Sequence, residues 1–423
     1  MRVGLAYGKK GLEWKIPDEC HVDVIEPRWT EGKPDPLQAV REVLQSPMNT
    51  IPLRELAGKH YKIGIIFSDI TRATPYHILL PALLAELDHI PDENIILFCA
   101  TGTHRPCTDQ ELASILGEEF KGRFRIVQNN ASDPSLFTSI GHTSSGNNIR
   151  VNREVISCDL KILTGFIEPH FFMGFSGGGK AIMPGMAYLE TIRFNHSIAM
   201  LENENARWGI TESNPLWLDV REAAELTDGI FLLNITLNKY KEITGVFAGE
   251  LRSAHSAGCK FARETAMAPV EQEYDIVITS NSGYPLDLNI YQSVKGMSAA
   301  AQIVKKGGVI ITAAECWDGI PSGSDYEKIL TSVDSLDELS EYIKEHEKSL
   351  MDTWQVYFQV IIQQKAKVYL YTDKLDNSIV SSALFHPVKD PESLIQELVR
   401  ESGPGTRICI LPEGPQTIPY IRK

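Results

Sequence analysis

The sequence lacks the features that mark several large classes of protein. Its 423 residues contain no CxxC pair and no cysteine and histidine spacing typical of a zinc site. They also contain no run of basic residues, and 55 Asp and Glu against 41 Lys and Arg give a net charge of −14. Because such a chain repels phosphate backbones, we expect no nucleic-acid partner. The seven cysteines are scattered and odd in number, which predicts reduced thiols.

Long hydrophobic runs are also missing. The longest apolar segment, residues 78–87, contains Pro81 and is too short to cross a bilayer. Near the N-terminus only residues 3–7 form an apolar stretch, which is shorter than the core of a signal peptide. We therefore expect no membrane partner and a cytoplasmic location.

What is present is the composition of a globular protein, with 43% hydrophobic and 23% charged residues. Short apolar runs alternate with helical patterns, which favours buried parallel strands in βαβ units. The predicted strands are residues 62–67, 94–100, 124–127, 160–163, 230–234, 274–280, 308–313, 366–371 and 407–411.

A change of pattern divides this series into two sets. Residues 264–273 have the Ala-, Pro- and Glu-containing composition of a linker, so we place a boundary near residue 268. The predicted fold is α/β, with two doubly wound, Rossmann-like domains (residues 1–268 and 269–423) and the active site in the cleft between them.

Polar residues follow three of the predicted strands. They are Ser68, Asp69, Thr71 and Arg72 after the first, Thr101, Thr103, His104 and Arg105 after the second, and Glu168 and His170 after the fourth. Ligands of open parallel sheets bind beyond the carboxyl ends of the strands, so these side chains are candidates for one site. Taken singly, each of them is better explained as a helix cap or a satisfied loop histidine; taken together, the three strand ends favour a site.

A glycine-rich segment precedes Lys180. Gly174 to Lys180 satisfies the phosphate-binding pattern G-x-x-x-x-G-K, but Ala181 replaces the hydroxyl residue that holds Mg²⁺, and Pro184 interrupts the following helix. No G-x-G-x-x-G stands in a strand-to-helix turn either. The remaining interpretation is an anion-binding loop whose lysine is a charge or a nucleophile.

Three histidines and one C-terminal segment complete the set. His196, with His104 and His170, suggests one metal ligand and two bases. Between Pro285 and Gly296 we expect a helical turn that puts Gln292 and Lys295 on one face, suited to a carboxylate or to solvent.

Four segments resemble one known family and occur in its order. Residues 68–75 (SDITRATP), 100–106 (ATGTHRP), 165–197 (GFIEPHFFMGFSGGGK through FNHS) and 283–300 (GYPLDLNIYQSVKGMSAA) resemble the nickel-dependent lactate racemase catalytic subunit. The resemblance implies a racemase or epimerase of 2-hydroxy acids, an isomerase. It implies a nickel-pincer nucleotide cofactor, pyridinium-3,5-bisthiocarboxylic acid mononucleotide nickel, and proteins that synthesise it as partners.

The resemblance also implies roles for individual residues. Lys180 would bind the cofactor covalently, His196 would ligate nickel, and His104 and His170 would be general bases. Further cofactor contacts would come from Asp69, Thr71, Ser176, Gly177, Gly178 and Gly179, and substrate contacts from Arg72, Tyr291, Gln292, Lys295 and Trp354. By spacing alone, Trp354 is a core residue.

Hydride chemistry suits these residues. Removing the Cα proton would place a carbanion beside a carboxylate, whereas oxidation to a 2-keto acid and re-reduction avoids it and requires two bases. Lactate is the leading substrate; malate, longer or aromatic 2-hydroxy acids and sugar acids at C2 are alternatives. So are a net dehydrogenase or dehydratase and a non-catalytic carboxylate- or phosphate-binding protein. Met173 and Gly179 depart from the family pattern, which expects a small residue and a basic one.

Overall fold

The computed structural model describes residues 1–59, 61–321, 323–403 and 405–422. Its strands are β1 (Arg2–Leu5), β2 (Leu12–Lys15), β3 (His21–Val24), β4 (Ile63–Ser68), β5 (Ile95–Ala100), β6 (Arg125–Gln128), β7 (Phe137–His142), β8 (Asn148–Asn152), β9 (Leu160–Phe166), β10 (Pro169–His170), β11 (Gly174–Phe175), β12 (Ile230–Leu237), β13 (Ile243–Gly249), β14 (Met267–Val270), β15 (Tyr274–Ser280), β16 (Val304–Ala313), β17 (Lys367–Tyr371), β18 (His386–Val388), β19 (Arg407–Leu411) and β20 (Ile418–Ile421).

Its helices are α1 (Pro36–Gln45), α2 (Leu53–Leu56), α3 (Tyr76–Glu86), α4 (Asp109–Leu116), α5 (Glu118–Arg123), α6 (Arg153–Ile156), α7 (Leu189–Asn195), α8 (Ile198–Leu201), α9 (Pro215–Glu225), α10 (Leu251–Ala266), α11 (Ile290–Ala301), α12 (Asp325–Thr331), α13 (Leu336–His346), α14 (Thr353–Lys365), α15 (Asn377–Ser382) and α16 (Pro391–Ser402). Among the described residues, none of these helices has the length and apolar character needed to span a membrane.

The first large sheet has the order β13-β12-β9-β4-β5-β6, and its neighbours are parallel except for β12 and β13. The chain lays down β4, β5 and β6 in one direction and then returns to place β9 on the other side of β4. In doubly wound sheets, ligands bind beyond the strand ends at such a reversal. The segments after β4 and β9 therefore lie at the expected binding edge.

The second large sheet has the order β18-β17-β16-β15-β19-β3 and is parallel throughout. Its winding reverses between β15 and β19. The two sheets confirm the predicted pair of doubly wound α/β units.

One strand of the second sheet comes from the beginning of the chain. β3, which the sequence analysis places in the N-terminal domain, pairs with β19. The chain then crosses to the first sheet, and the Arg28 backbone N–H donates to the Thr265 carbonyl at 2.7 Å, where the chain crosses back. The two crossings thus lie side by side, and the division at residue 268 stays a prediction.

The core is continuous from one sheet to the other. Along β4, Ile65 and Phe67 enter one apolar cluster, and Ile66 enters a second one on the opposite face. That second cluster also contains Val277 of β15, so it joins the two sheets. The outer face of the second sheet is covered by the hairpin β1–β2, which supplies Trp14.

Two local predictions differ from the structure. The expected linker at residues 264–273 contains β14, which pairs with β20. Gly296, expected to end a helical turn, lies inside α11. A Cβ at Gly296 would approach the Ser280 carbonyl oxygen to 2.1 Å, so this glycine allows close packing of the helix on β15.

Candidate active site

One cleft, with about 1010 Å³ of empty space, is lined by segments that follow β4, β5 and β9 and by helices α11 and α14. It gathers every predicted site residue except Gly179: Asp69, Thr71, Arg72, His104, His170, Ser176, Gly177, Gly178, Lys180, His196, Tyr291, Gln292, Lys295 and Trp354. Trp354, a core residue by spacing, is both buried and part of this wall.

His104 is oriented by a buried carboxylate. Its Nδ1 lies 2.6 Å from Oδ2 of Asp69, and Oδ1 of Asp69 accepts from the Thr71 hydroxyl at 2.6 Å. Burial alone would raise the pKa of Asp69, but His104 and then Arg72 outweigh it and lower the pKa to about 2. The ionised carboxylate holds the proton on Nδ1 and leaves the lone pair of Nε2 of His104 unused by this contact. The Asp69 and Thr71 side chains, assigned above to the cofactor, thus bind each other, and Asp69 also binds His104.

His170 has a different environment. Its ring stacks on Phe171 with centroids 4.9 Å apart and meets the edge of Phe172 at 4.6 Å. Burial, followed by Lys180, Lys295 and Arg72, holds its pKa well below the usual value, so the free site favours the neutral ring. Nδ1 of His170 accepts from the Met173 backbone N–H at 3.3 Å, which puts the proton of the neutral ring on Nε2.

Three cationic side chains face the same space. Burial, reinforced by Arg72 and Lys295, lowers the pKa of Lys180 well below its usual value, which favours a neutral, nucleophilic amine. Burial and Arg72 lower the pKa of Lys295 to about 7. Within the described part of the chain, the buried Nη1 of Arg72 has no hydrogen-bond partner. The unpartnered donor of Arg72 and the nearby amine of Lys295 suit an anionic ligand.

The glycine-rich loop is held from behind by two side chains. Asn234 Oδ1 accepts from the Gly178 N–H at 2.7 Å. The ring of His255 lies so close to Gly178 that a Cβ there would meet it at 2.5 Å, and His255 Nε2 lies 2.9 Å from the Ser176 carbonyl oxygen. The Gly178 N–H is therefore used by the protein, whereas the sequence analysis reserves the loop N–H groups for an anion.

The two departures from the family pattern lie away from the cleft. Met173 and Gly179 both line a smaller cavity behind the loop. A Cβ at Gly179 would approach the Val220 carbonyl oxygen to 2.8 Å, so α9 leaves no room for a side chain at this position. Met173 is fully buried in the core and does not narrow the cleft wall.

His196 lies at the end of α7, between the rings of Phe172 and Trp354 at 5.1 and 5.2 Å. Its buried Nδ1 has no hydrogen-bond partner among the described residues. Burial, followed by Lys180, lowers its pKa to about 3, so the ring is neutral and can ligate a metal. The described residues hold no group of three or more His, Cys, Asp or Glu able to bind a metal ion. A metal at His196 would therefore need ligands other than such a cluster of described side chains.

The opposite wall is supplied by α11 and α14. Asn289 caps α11 by accepting from the Gln292 N–H at 3.0 Å, which fixes the first turn. The ring of Tyr291 stands edge-on to His104 at 6.1 Å, and its hydroxyl accepts from Trp354 Nε1 at 3.2 Å. Side chains from the second half of the chain therefore form the wall of the cleft that faces His104.

Sequence reasoning assigned no function to several residues that shape the site. Asn234 and His255 support the loop from elements with ordinary strand and helix patterns, and Gln355 lines the cleft beside Trp354. Glu168 was visible as a polar residue after a strand, yet its partner Gln416 comes from a part of the chain without a recognisable motif. Only the folded geometry reveals such pairs.

Comparisons with known proteins agree over nearly the full length. Residues 7–209 match the family described as Lactate racemase N-terminal domain, and residues 270–418 match Lactate racemase C-terminal domain. The lactate racemase of Thermoanaerobacterium thermosaccharolyticum is 35% identical over 420 residues, which are 98% of this chain and 98% of that protein. The lactate racemase of Lactiplantibacillus plantarum is 34% identical over 418 residues, 97% of this chain and 98% of that protein.

Solved structures show the same relationship. The lactate racemase apoprotein from Thermoanaerobacterium thermosaccharolyticum has a TM-score of 0.89 at 34% identity, covering 100% of both chains. A protein from Thermotoga maritima has a TM-score of 0.73 at 19% identity, covering 93% of this chain and 100% of that one, which shows a shared fold. The matched domains and the full-length identity together make this chain a member of the lactate racemase family, and hence an isomerase.

Proposed function

We propose that this chain interconverts the enantiomers of lactate by reversible oxidation at C2, using a nickel-pincer nucleotide bound through Lys180. The observation that carries the proposal is the cleft itself, where three imidazoles, a buried lysine of lowered pKa and the cationic groups of Arg72 and Lys295 converge. The relatives named lactate racemase favour lactate among 2-hydroxy acids. Malate, longer or aromatic 2-hydroxy acids and sugar acids remain alternatives for the same site.

The residues fit the cofactor in two respects. Lys180 has the depressed pKa that a lysine needs to form a covalent link with an electrophile. His196 offers a neutral imidazole whose Nδ1 is unpartnered in the described structure, and a pincer would supply the other ligands. When bound, the nickel-pincer nucleotide would accept a hydride from C2 and return it.

The cationic groups would hold the substrate carboxylate. Arg72 presents a buried donor without a protein partner, and a guanidinium can grip a carboxylate through two parallel hydrogen bonds. Lys295, on the opposite wall, would become charged as the carboxylate arrives. Held from both walls, the 2-keto acid would stay in the cleft while its keto group turns.

The two histidines would exchange protons with the substrate oxygen. His104 Nε2, kept free by Asp69, would take the hydroxyl proton of one enantiomer. As the hydride returns to the opposite face, His170 would give its Nε2 proton to the keto oxygen and so form the opposite enantiomer, which requires that it first take a second proton from solvent at Nδ1 in place of the contact with the Met173 N–H. In the free site, Lys180, Lys295 and Arg72 lower the pKa of His170. A covalent link would remove the charge of Lys180, and a bound carboxylate would offset the charges of Lys295 and Arg72. Ligand binding would thus prepare His170 to hold the proton.

The proposal is tested on protein produced in a host that contains the cofactor-synthesis proteins. We expect an intact mass with a covalent adduct, about one nickel per chain as one pincer site implies, and interconversion of L- and D-lactate. Lys180→Ala is the control and should lack the adduct and the activity. A wild type without adduct, in a host where a known racemase acquires one, would refute the cofactor assignment. Loaded protein that accumulates a keto or unsaturated acid would refute racemisation.

A further inference from the structure

Glu168 is a buried carboxylate, 5% exposed, and takes no part in the proton or hydride transfers proposed above. It follows β9 and precedes β10, and its main chain is fixed by the glycine-rich loop. The Ser176 hydroxyl accepts from the Glu168 N–H at 3.0 Å, and the Ser176 N–H donates to the Glu168 carbonyl at 2.9 Å. The side chain therefore starts from a rigid backbone position.

The two carboxylate oxygens of Glu168 have partners on different sheets. Oε1 lies 3.8 Å from Nη1 of Arg72, which belongs to the segment that follows β4 of the first sheet. Oε2 accepts from Nε2 of Gln416 at 2.8 Å, and Gln416 lies in the short turn between β19 and β20. This turn is packed tightly on the second sheet, since a Cβ at Gly414 would overlap the Ser280 carbonyl oxygen.

Arg72 needs such a partner because a second cationic side chain shares the cleft with it. Lys295 faces the same space and, under the proposed function, gains positive charge as the carboxylate arrives. Asp69 is already engaged by His104 and Thr71. Glu168 is therefore the carboxylate available to hold the guanidinium in place, and the only ion pair of Arg72 in the described structure is with Glu168.

We propose that Glu168 is a positioning residue that orients Arg72 toward the substrate carboxylate, and that Gln416 makes this orientation depend on contact between the two sheets. The inference rests on the proposed function in one respect, the binding of a carboxylate by Arg72. If the two sheets separate, Glu168 loses Gln416, and the guanidinium loses its fixed anchor. Arg72 would then reach its binding orientation only when the cleft is closed.

The test compares the cofactor-loaded enzyme with Glu168→Gln, which keeps the shape and removes the charge. We expect the KM for lactate to rise about tenfold with kcat changed less than about threefold, because ground-state carboxylate binding is what weakens. Gln416→Ala, outside the cleft lining, should raise KM by a smaller factor. Glu154→Gln is the matched control, since Glu154 pairs with Arg125 at 2.6 Å away from the cleft, and should leave both constants unchanged.

A double-mutant cycle separates positioning from a general structural role. In an Arg72→Lys background, Glu168→Gln should change KM less than about twofold, because the group that it orients is gone. The inference would be overturned if the KM increases caused by Arg72→Lys and Glu168→Gln multiplied fully in the double variant, or if Glu168→Gln left KM unchanged.

Calorimetric titration of L-lactate into the same variants distinguishes this inference from the proposed function. Lactate binding that weakens in Glu168→Gln, without turnover in the loaded wild type, would refute racemisation and support the role of Glu168. Turnover of lactate in the wild type, with lactate binding unaffected by Glu168→Gln, would support racemisation and refute the role of Glu168.

Discussion

Asp69 and His104 show how one short contact fixes the chemistry of a residue. The 2.6 Å pair and the pKa of about 2 leave Asp69 ionised throughout the physiological range, so it accepts and never donates. His104 is thereby restricted to the tautomer with a free Nε2. The sequence contains both residues in recognisable motifs, but their pairing across 35 positions appears only in the fold.

Replacing Asp69 tests this restriction. Asp69→Asn should lower kcat by roughly 10²–10⁴-fold, because the amide can donate to Nδ1 and put the ring proton on Nε2. Chiral chromatography of lactate gives the rate, with nickel content confirming cofactor load. Thr71→Val removes one hydrogen bond to Asp69 but keeps the carboxylate, and its effect should be far smaller. A kcat within about threefold of wild type in Asp69→Asn would contradict the base assignment.

Lys295 gives the site a pH dependence of defined sign. Its pKa of about 7 in the free cleft means that it is mostly neutral at pH 8, and an arriving carboxylate favours the charged form. Lactate binding at pH 8 should therefore take up protons and should weaken as the pH rises from 7 to 9. Titration calorimetry in two buffers of different ionisation enthalpy measures the uptake, which should disappear in Lys295→Met. Equal uptake in both proteins would assign it to another group.

The glycine-rich loop is the element whose shape depends most on its neighbours. Gly178 has φ of 58° and lies against the His255 ring, so both backbone conformation and space exclude a side chain. Its role as a phosphate cradle is a sequence prediction, and the structure adds that Asn234 and His255 hold the loop.

The cost of a methyl group at Gly178 can be separated into two parts. Gly178→Ala should lower the free energy of unfolding by about 2–4 kcal/mol, through positive φ and through the clash with His255. Gly146→Ala is the matched control, because Gly146 has φ of 88° and open space around it, and should cost only about 1 kcal/mol. Urea unfolding measures both. Equal losses would show that the approach of His255 is not restrictive.

Sequence patterns predicted the buried strands well and the edge strands poorly. β15 and β19 have the predicted bounds, because continuous apolar runs mark strands that are covered on both faces. β3 has the sequence HVDV, which is too short and polar to stand out, and its partner lies near the other end of the chain. The candidate site residues are predictions from motifs and from the family resemblance, and the cleft brings nearly all of them together. The contacts of Glu168 with Arg72 and Gln416 follow no sequence pattern.

At the scale of the whole molecule, the second sheet depends on the first residues of the chain. The hairpin β1–β2 and the following residue Ile16 supply buried side chains to the outer core of this sheet: Val3, Leu5, Tyr7, Trp14 and Ile16. Each contributes about 1.5–3 kcal/mol on burial. Together they approach the net stability of a typical domain, about 5–15 kcal/mol.

A fragment of residues 269–423 should therefore fail to fold, although the boundary near 268 suggests an independent domain. Joining residues 1–26 to its start through a short flexible linker should restore cooperative urea unfolding, since Arg28 and Thr265 are hydrogen-bonded and the two ends are close. Circular dichroism of both fragments measures the outcome. A cooperative transition in the shorter fragment would show that β3 and the hairpin are dispensable.

The pairing of β3 with β19 also sets an order of events during synthesis. β3 leaves the ribosome long before β19, its partner in the second sheet. At about 5–20 residues per second, the strand waits on the order of 20–80 s before it can pair. Meanwhile the first sheet can complete itself, whereas the second sheet can form only after β19 has emerged. During this interval the nascent chain carries β3 without its partner and the apolar hairpin β1–β2 without the sheet that covers it, which is the period when chaperones would bind it.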